Sequence, residues 1–264
     1  MAAGMVGMLA GDMIMAAMLA GVVYVFYMFL VWQKAYDRFN FSFKNKYVLD
    51  TIRQIPGFSE LRYQSQSGFT REELKGLNLL PGGITYYAAS DELRGRVDGA
   101  GFRACSVSAG QKSGRRSLPD IVFEGQIIGF EIFDDRKRSS SYVQVMNRSF
   151  LKDMHGKTAP FSIQTESEAF NTRFAVFAEE EQNAFYILTP QVLERISEFA
   201  DAAKGEIYLV FSQYELYVAC RQARKPFEAY VDIPVEEQRQ NILNGTVLLR
   251  QARGLLFDLS MIGT

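Results

Sequence analysis

The sequence predicts an α+β fold: an N-terminal transmembrane helix followed by a mixed, mainly antiparallel sheet domain with flanking helices. Three observations carry that prediction. Met13 to Trp32 is apolar and free of charge, and a helix of that length covers the roughly 30 Å hydrocarbon core of a bilayer. From Leu93 onward the pattern turns to short alternating runs with period two, which marks half-buried strands. Few helical stretches interrupt them, which favours an antiparallel sheet over regular strand–helix alternation.

The apolar run lacks the basic start and small-residue end of a cleavable signal: no Lys or Arg precedes it, and it closes on Phe29-Leu30-Val31-Trp32. Residues 1–12 read as a short extracytoplasmic tail, with Asp12 as an interfacial helix cap, and 13–32 as the span. Lys34, Arg38, Lys44 and Lys46 on the C-terminal side outweigh Asp37 and Asp50, which places the following domain in the cytoplasm. Gly7 and Gly11, then Ala17 and Gly21, repeat a small-residue spacing that lets membrane helices approach closely.

Tyr36, Phe39, Phe43, Tyr47, Val48, Ile52 and Ile55 recur at helical steps, giving a juxtamembrane amphipathic helix over 33–56 that Pro56-Gly57 ends. The domain then covers 57–264. A short strand around Leu61-Arg62-Tyr63 precedes a capping box at Thr70-Arg71-Glu72-Glu73, whose helix runs through Leu79 to Pro81-Gly82-Gly83. Strands are expected at Leu93–Val97 and Phe102–Ser108 around a Gly99/Gly101 turn, and at Ile121–Phe133. Weaker candidates are Tyr142–Val145 and Phe161–Ile163. A helical turn from Phe170 leads to a strand at Phe174–Phe177, and another strand is expected at Phe185–Leu188. Thr189-Pro190 starts a helix that ends at Gly205, with Val192, Leu193, Ile196 and Phe199 inward. A hairpin of Glu206–Phe211 and Glu215–Cys220 precedes a last helix from Val235 to Leu259.

Composition narrows the chemistry. Lys plus Arg is 29 against 30 Asp plus Glu, so no global field favours nucleic acid. Cys105 and Cys220 lie in strand-like stretches and read as reduced structural thiols. One histidine, His155, excludes a metal site built on several, and neither metal nor cofactor is expected. Gly156-Lys157-Thr158 lacks the first glycine of a phosphate loop, since Leu151 stands there. Gly99-x-Gly101-x-x-Ala104 runs into an alternating strand, so it reads as a β-turn and not a dinucleotide fingerprint. Glu124, Glu131, Asp134 and Glu180 are the carboxylates that acid–base chemistry would draw on, and alternation sets Glu124 and Glu131 on opposite faces. Two basic clusters, Lys112/Arg115/Arg116 and Arg136/Lys137/Arg138, suit an anionic leaflet or an acidic protein.

The runs Ile121-Val122-Phe123-Glu124-Gly125, Phe170-x-x-x-Phe174-Ala175-Val176 and Ala184-Phe185-Tyr186-Ile187-Leu188-Thr189-Pro190-x-x-x-Glu194-x-Ile196 resemble a bacterial family, domain of unknown function 3137. Ile207–Phe211 and Phe227-Glu228 are similar to it too. The resemblance implies N-terminal membrane helices ahead of a soluble domain. Members often carry two such helices, and this chain has room for one. Where members carry an Asp-Phe-Asn-Lys-like run, this chain reads Phe130 to Asp135. No activity or catalytic residue comes with the resemblance. The expectation is a single-pass protein of the bacterial inner membrane whose cytoplasmic domain acts as a binding or scaffold module. Its partners would be the bilayer and a protein or a second copy. The alternatives are a membrane-surface enzyme or a subunit of a larger membrane complex.

Overall fold

The computed structural model describes residues 2–112, 114, 118–131, 142–151, 158–212, 215–221, 227, 230 and 232–261. It forms two units, residues 1–43 and 44–264.

The first unit is one helix, α1 (Ala2–Ser42). Its side chains from Val22 to Trp32 are all exposed, and it belongs to the single helix among the described residues that is long and apolar enough to cross a membrane. Asp12 does not start a helix: it falls inside α1, because the Ala- and Met-rich residues ahead of it favour helix as strongly as those after it. Trp32 and Tyr36 stack at 5.5 Å, one helical turn apart.

A π-helical turn, Phe43–Val48, starts at the last residue of the first unit, and α2 (Leu49–Arg53) follows it; Val48 of the turn and Ile52 of α2 are completely buried. Nine strands follow: β1 (Phe58–Gln64), β2 (Tyr86–Val97), β3 (Ala100–Gln111), β4 (Asp120–Glu131), β5 (Val143–Asn147), β6 (Phe161–Ile163), β7 (Phe174–Ala178), β8 (Ile207–Phe211) and β9 (Glu215–Arg221). They form one sheet in the order β1-β2-β3-β4-β9-β8-β5-β7-β6, and every described ladder is antiparallel. Asp98 and Gly99, both with positive φ (45° and 84°), close the β2–β3 hairpin as a two-residue turn whose twist matches its strands.

Helices cover both faces. On one, Leu74 of α3 (Arg71–Gly76) joins Phe69, Leu79, Leu80 and Ile84 over Cys105, Val107, Phe123, Ile127 and Tyr208. Next come α4 (Glu168–Arg173) and α5 (Glu181–Ile187). The long helices α6 (Pro190–Ala203) and α7 (Val235–Met261) pack on each other, and α7 runs against β2 and β4. Thr189 caps α6 by accepting from the Val192 amide, with Pro190 in the first turn. Both cysteines are free and buried, and burial pushes each thiol up to about 12.

Three expectations on local structure change. Phe185–Leu188 is not a strand but the end of α5. Its buried residues Ala184, Ile187 and Leu188 follow helical spacing, which a four-residue apolar run cannot distinguish from a strand. Helix α3 stops at Gly76, three residues early, because Leu79 and Leu80 turn into the core. Strand β2 begins at Tyr86 and not Leu93, with a bulge in its middle.

A buried polar network ties the sheet to the segment after α3. Tyr208 donates to the Asn78 carbonyl at 2.8 Å, Gln144 donates to the hydroxyls of Tyr142 and Tyr208, and the Ala159 amide donates to Gln144 at 2.8 Å. Tyr208→Phe leaves the half-buried Asn78 carbonyl without its donor and takes an acceptor from Gln144. We expect a loss of about 1–3 kcal/mol, read as a lower thermal midpoint by circular dichroism of the full chain in detergent.

Candidate functional site

Strands β1 to β4 and β9 share a groove of about 1010 Å³ near the Asp98-Gly99 end of the sheet. Cross-strand register builds it. Tyr217, Gly129, Arg103, Arg94 and Arg62 stand in one rank, each directly opposite the next. The row beyond holds Glu131 opposite Glu215 and, on β2, Arg96 opposite Ser59. One wall of the groove is therefore arginine and the other carboxylate.

Two bulges create the arginine wall. Between Ser90 and Leu93, β2 carries one residue more than β3, and Asp91 takes a left-handed φ of 61°. Between Ser59 and Arg62, β1 does the same against β2, with Glu60 at 53°. Each extra residue reverses the inside–outside count, turning Leu93 and Val97 into the core and Arg62, Arg94 and Arg96 into the groove.

Buried carboxylates pin the β2 bulge. Asp91, fully buried, pairs with Lys44 at 2.9 Å and accepts from Tyr63 at 2.6 Å and Ser90 at 3.0 Å. Glu92 accepts from Ser67 at 2.9 Å and from Arg94, and pairs with Arg103 at 3.2 Å. Arg103 also bonds Glu73 at 2.7 Å and the Gly68 carbonyl at 2.8 Å, with its guanidinium 4.2 Å above the Phe69 ring. Glu73 completes the capping box at Thr70, so one carboxylate both starts α3 and holds the arginine.

The floor is open because Gly129 has no side chain: a Cβ there would stand 2.9 Å from the Tyr217 ring and 3.2 Å from Phe69. Those two rings meet edge to face at 5.9 Å. Tyr217 donates to Glu215 at 2.7 Å, and burial together with that carboxylate raises its hydroxyl well above the ordinary tyrosine range. Arg62 and Glu131 are exposed, and neither has a hydrogen-bond or ion-pair partner among the described residues.

The residues singled out from sequence fall elsewhere. Lys112 lies just past β3, exposed, its amide donating to Thr85 at 2.7 Å. Arg115, Arg116, Arg136, Lys137, Arg138, Asp134 and His155 lie outside the described residues. Gly7, Gly11 and Ala17 lie in α1 with side chains outside the description, while a Cβ on Gly21 would touch nothing within 4 Å. Glu124 and Glu131 project from opposite faces of β4, and Glu180 sits ahead of α5, accepting from Asn183 at 2.5 Å. The arginine rank was missed because its signal, two bulges, leaves no mark on alternation.

Burial pulls both Glu73 and Glu92 upward, but the bonds to each outweigh it. The Thr70 amide and Arg103 hold Glu73, and Arg94, Ser67 and Arg103 hold Glu92, below the ordinary value of 4.5. A carboxyl depressed by folding stabilises the fold fully above its unfolded pKa and loses that contribution as pH falls through its folded one. The stability gap between Glu92→Gln and the parent chain is therefore widest at neutral pH and closes progressively below about pH 4.5, as read by urea unfolding across pH.

No curated protein matches the chain. The crystal structure of the mycobacterial trehalose monomycolate transport factor A, TtfA, is similar over 80% of this chain and 96% of that one, at 11% identity and a TM-score of 0.40. Residues 121–255, just over half the sequence and spanning β4 to α7, match the family described as protein of unknown function (DUF3137), and the chain belongs to that family.

Proposed function

We propose that this is a single-pass protein of the bacterial inner membrane whose sheet domain, residues 57–264, works in the cytoplasm as a binding module. The observation that carries the anchor is α1, whose run from Val22 to Trp32 offers Phe, Tyr, Val, Leu and Met side chains with no cover. Exposing that much contiguous apolar surface to water is unfavourable, and a bilayer removes the cost. The division into a tail at 1–12, a span at 13–32 and a juxtamembrane helix at 33–56 rests on the charge pattern, as does the orientation. Lys34, Arg38, Lys44 and Lys46 favour the cytoplasmic side.

The groove of arginines and glutamates supports the binding role. It is open, polar and lined by side chains that other residues hold in place. Lys112, Arg115, Arg116, Arg136, Lys137 and Arg138 would add attraction to anionic lipid or an acidic protein, about 1 kcal/mol for each charge near the leaflet. Self-association along the Gly7, Gly11, Ala17, Gly21 face is part of the same reading.

The full chain is expected in the membrane fraction, resistant to carbonate and released by detergent. Val25→Asp with Phe26→Lys costs about 2.5–3.5 kcal/mol for each mid-helix charge and shifts the protein out of that fraction. Recovery of the parent chain in the soluble fraction overturns the anchor. Reporter activity at the C-terminus that requires export overturns the orientation.

A further inference from the structure

The groove sets like charges side by side twice, with opposite sign each time. On one wall Arg62 stands directly opposite Arg94, and Arg94 opposite Arg103; on the other, Glu131 stands opposite Glu215. Like charges paired across strands repel. The fold relieves part of this internally. Glu73 and Glu92 answer Arg103 and Arg94, Glu60 lies 3.3 Å from Arg96, and Asp50 lies 3.3 Å from Arg53. Among the described residues, Arg53, Arg62, Arg94, Arg96 and Arg103 set against those four carboxylates leave one uncompensated cation, and Arg62 is the arginine without a partner there. At the other wall, among the described residues, the Tyr217 hydroxyl donates to Glu215 and no donor reaches Glu131.

Two strained bulges hold the arginines in this line, each with a non-glycine residue in the left-handed region. Gly95 lies inside the β1 bulge, where a Cβ would stand 2.8 Å from Leu61 and 2.9 Å from the Ser59 carbonyl. Between the walls the floor is Gly101, Gly129 and the Tyr217 ring, leaving room for a ligand to lie from one wall to the other. The Arg62–Arg94 pair and the Glu131–Glu215 pair are three strand spacings apart, roughly 14 Å at the backbone, and long side chains lean across that gap.

We propose that this groove binds a small zwitterion that carries a phosphate at one end and an ammonium at the other. The phosphate lies on Arg62 and Arg94, whose guanidiniums match its oxygens, and the ammonium lies between Glu131 and Glu215. A plain anion would meet the arginines but leave the two glutamates facing each other unrelieved. The proposal names the ligand class for the binding-module reading and does not depend on the membrane anchor.

Isothermal titration of the full chain in neutral detergent with phosphoethanolamine, inorganic phosphate and ethanolamine tests it. Phosphoethanolamine binds roughly tenfold more tightly than phosphate, the gain from one charged hydrogen bond. Arg62→Ala weakens both by a similar factor, while Glu131→Gln removes the preference and leaves phosphate binding in place. Both residues are exposed, so unchanged circular dichroism confirms that each variant folds. No binding of either phosphate compound, equal affinity for the two, or affinity that survives Arg62→Ala overturns the proposal. Native mass spectrometry then separates the sources of this chemistry. Retention of phosphatidylethanolamine over phosphatidylglycerol assigns it to a lipid headgroup, and binding of soluble phosphoethanolamine without lipid retention assigns it to a free metabolite.

Discussion

Facing in a β-strand is counted in twos, so one inserted residue reverses every side chain beyond it. That rule governs this domain. Without the insertion at Asp91-Glu92, Leu93 and Val97 would project into the groove, and Arg94 and Arg96 would be driven into the core. The insertion in β1 must accompany it, because Arg62 reaches the same side only after its own strand has slipped by one. Core packing and groove chemistry are thus two outcomes of one register choice. Burying Leu93 and Val97 rather than two guanidiniums favours the observed register by many kcal/mol.

An insertion of this kind leaves backbone and side chains to be satisfied in an unusual geometry, and buried carboxylates do that here. Burial strips water from the Asp91 carboxylate, and Lys44, Tyr63 and Ser90 replace it with three directed contacts. Lys44 is presented by the π-helical turn, whose wider winding displaces side chains from regular α spacing. Next along the strand, Glu92 gathers Ser67, Arg94 and Arg103, so the two bulged residues point their charges toward different partners. Arg103 then links the bulge to α3 through Glu73. The groove's rigidity follows from this chain of contacts more than from its own exposed residues.

What could be read from sequence follows from how local the determining interaction is. The Asp98-Gly99 turn, the Thr70/Glu73 box and the Thr189-Pro190 start each depend on residues within a few positions, and all three were legible. The long apolar helix was legible because its charge-free run is continuous in the chain and long enough to cross a bilayer. The bulges were not, since an extra residue in a strand looks the same as an end of alternation, and the β2 strand was accordingly begun at Leu93. The α5 segment was misread for the converse reason: four apolar residues fit both periods, and only the burial of Ala184 with Ile187 chooses between them. Glu131 and Arg62 were visible as letters, but their relation runs through four strands and no spacing in the chain encodes it.

The electrostatics of the groove differ from those of a charged patch. The chain is nearly neutral, with 29 basic and 30 acidic residues, so no strong far field directs a ligand toward it. At physiological ionic strength charges are screened over about 8 Å, less than the roughly 14 Å between the walls at the backbone. Each wall therefore acts at contact range, and the two cooperate only through a molecule that touches both. An arrangement of this kind discriminates by the separation of charges within a ligand and not by the ligand's net charge.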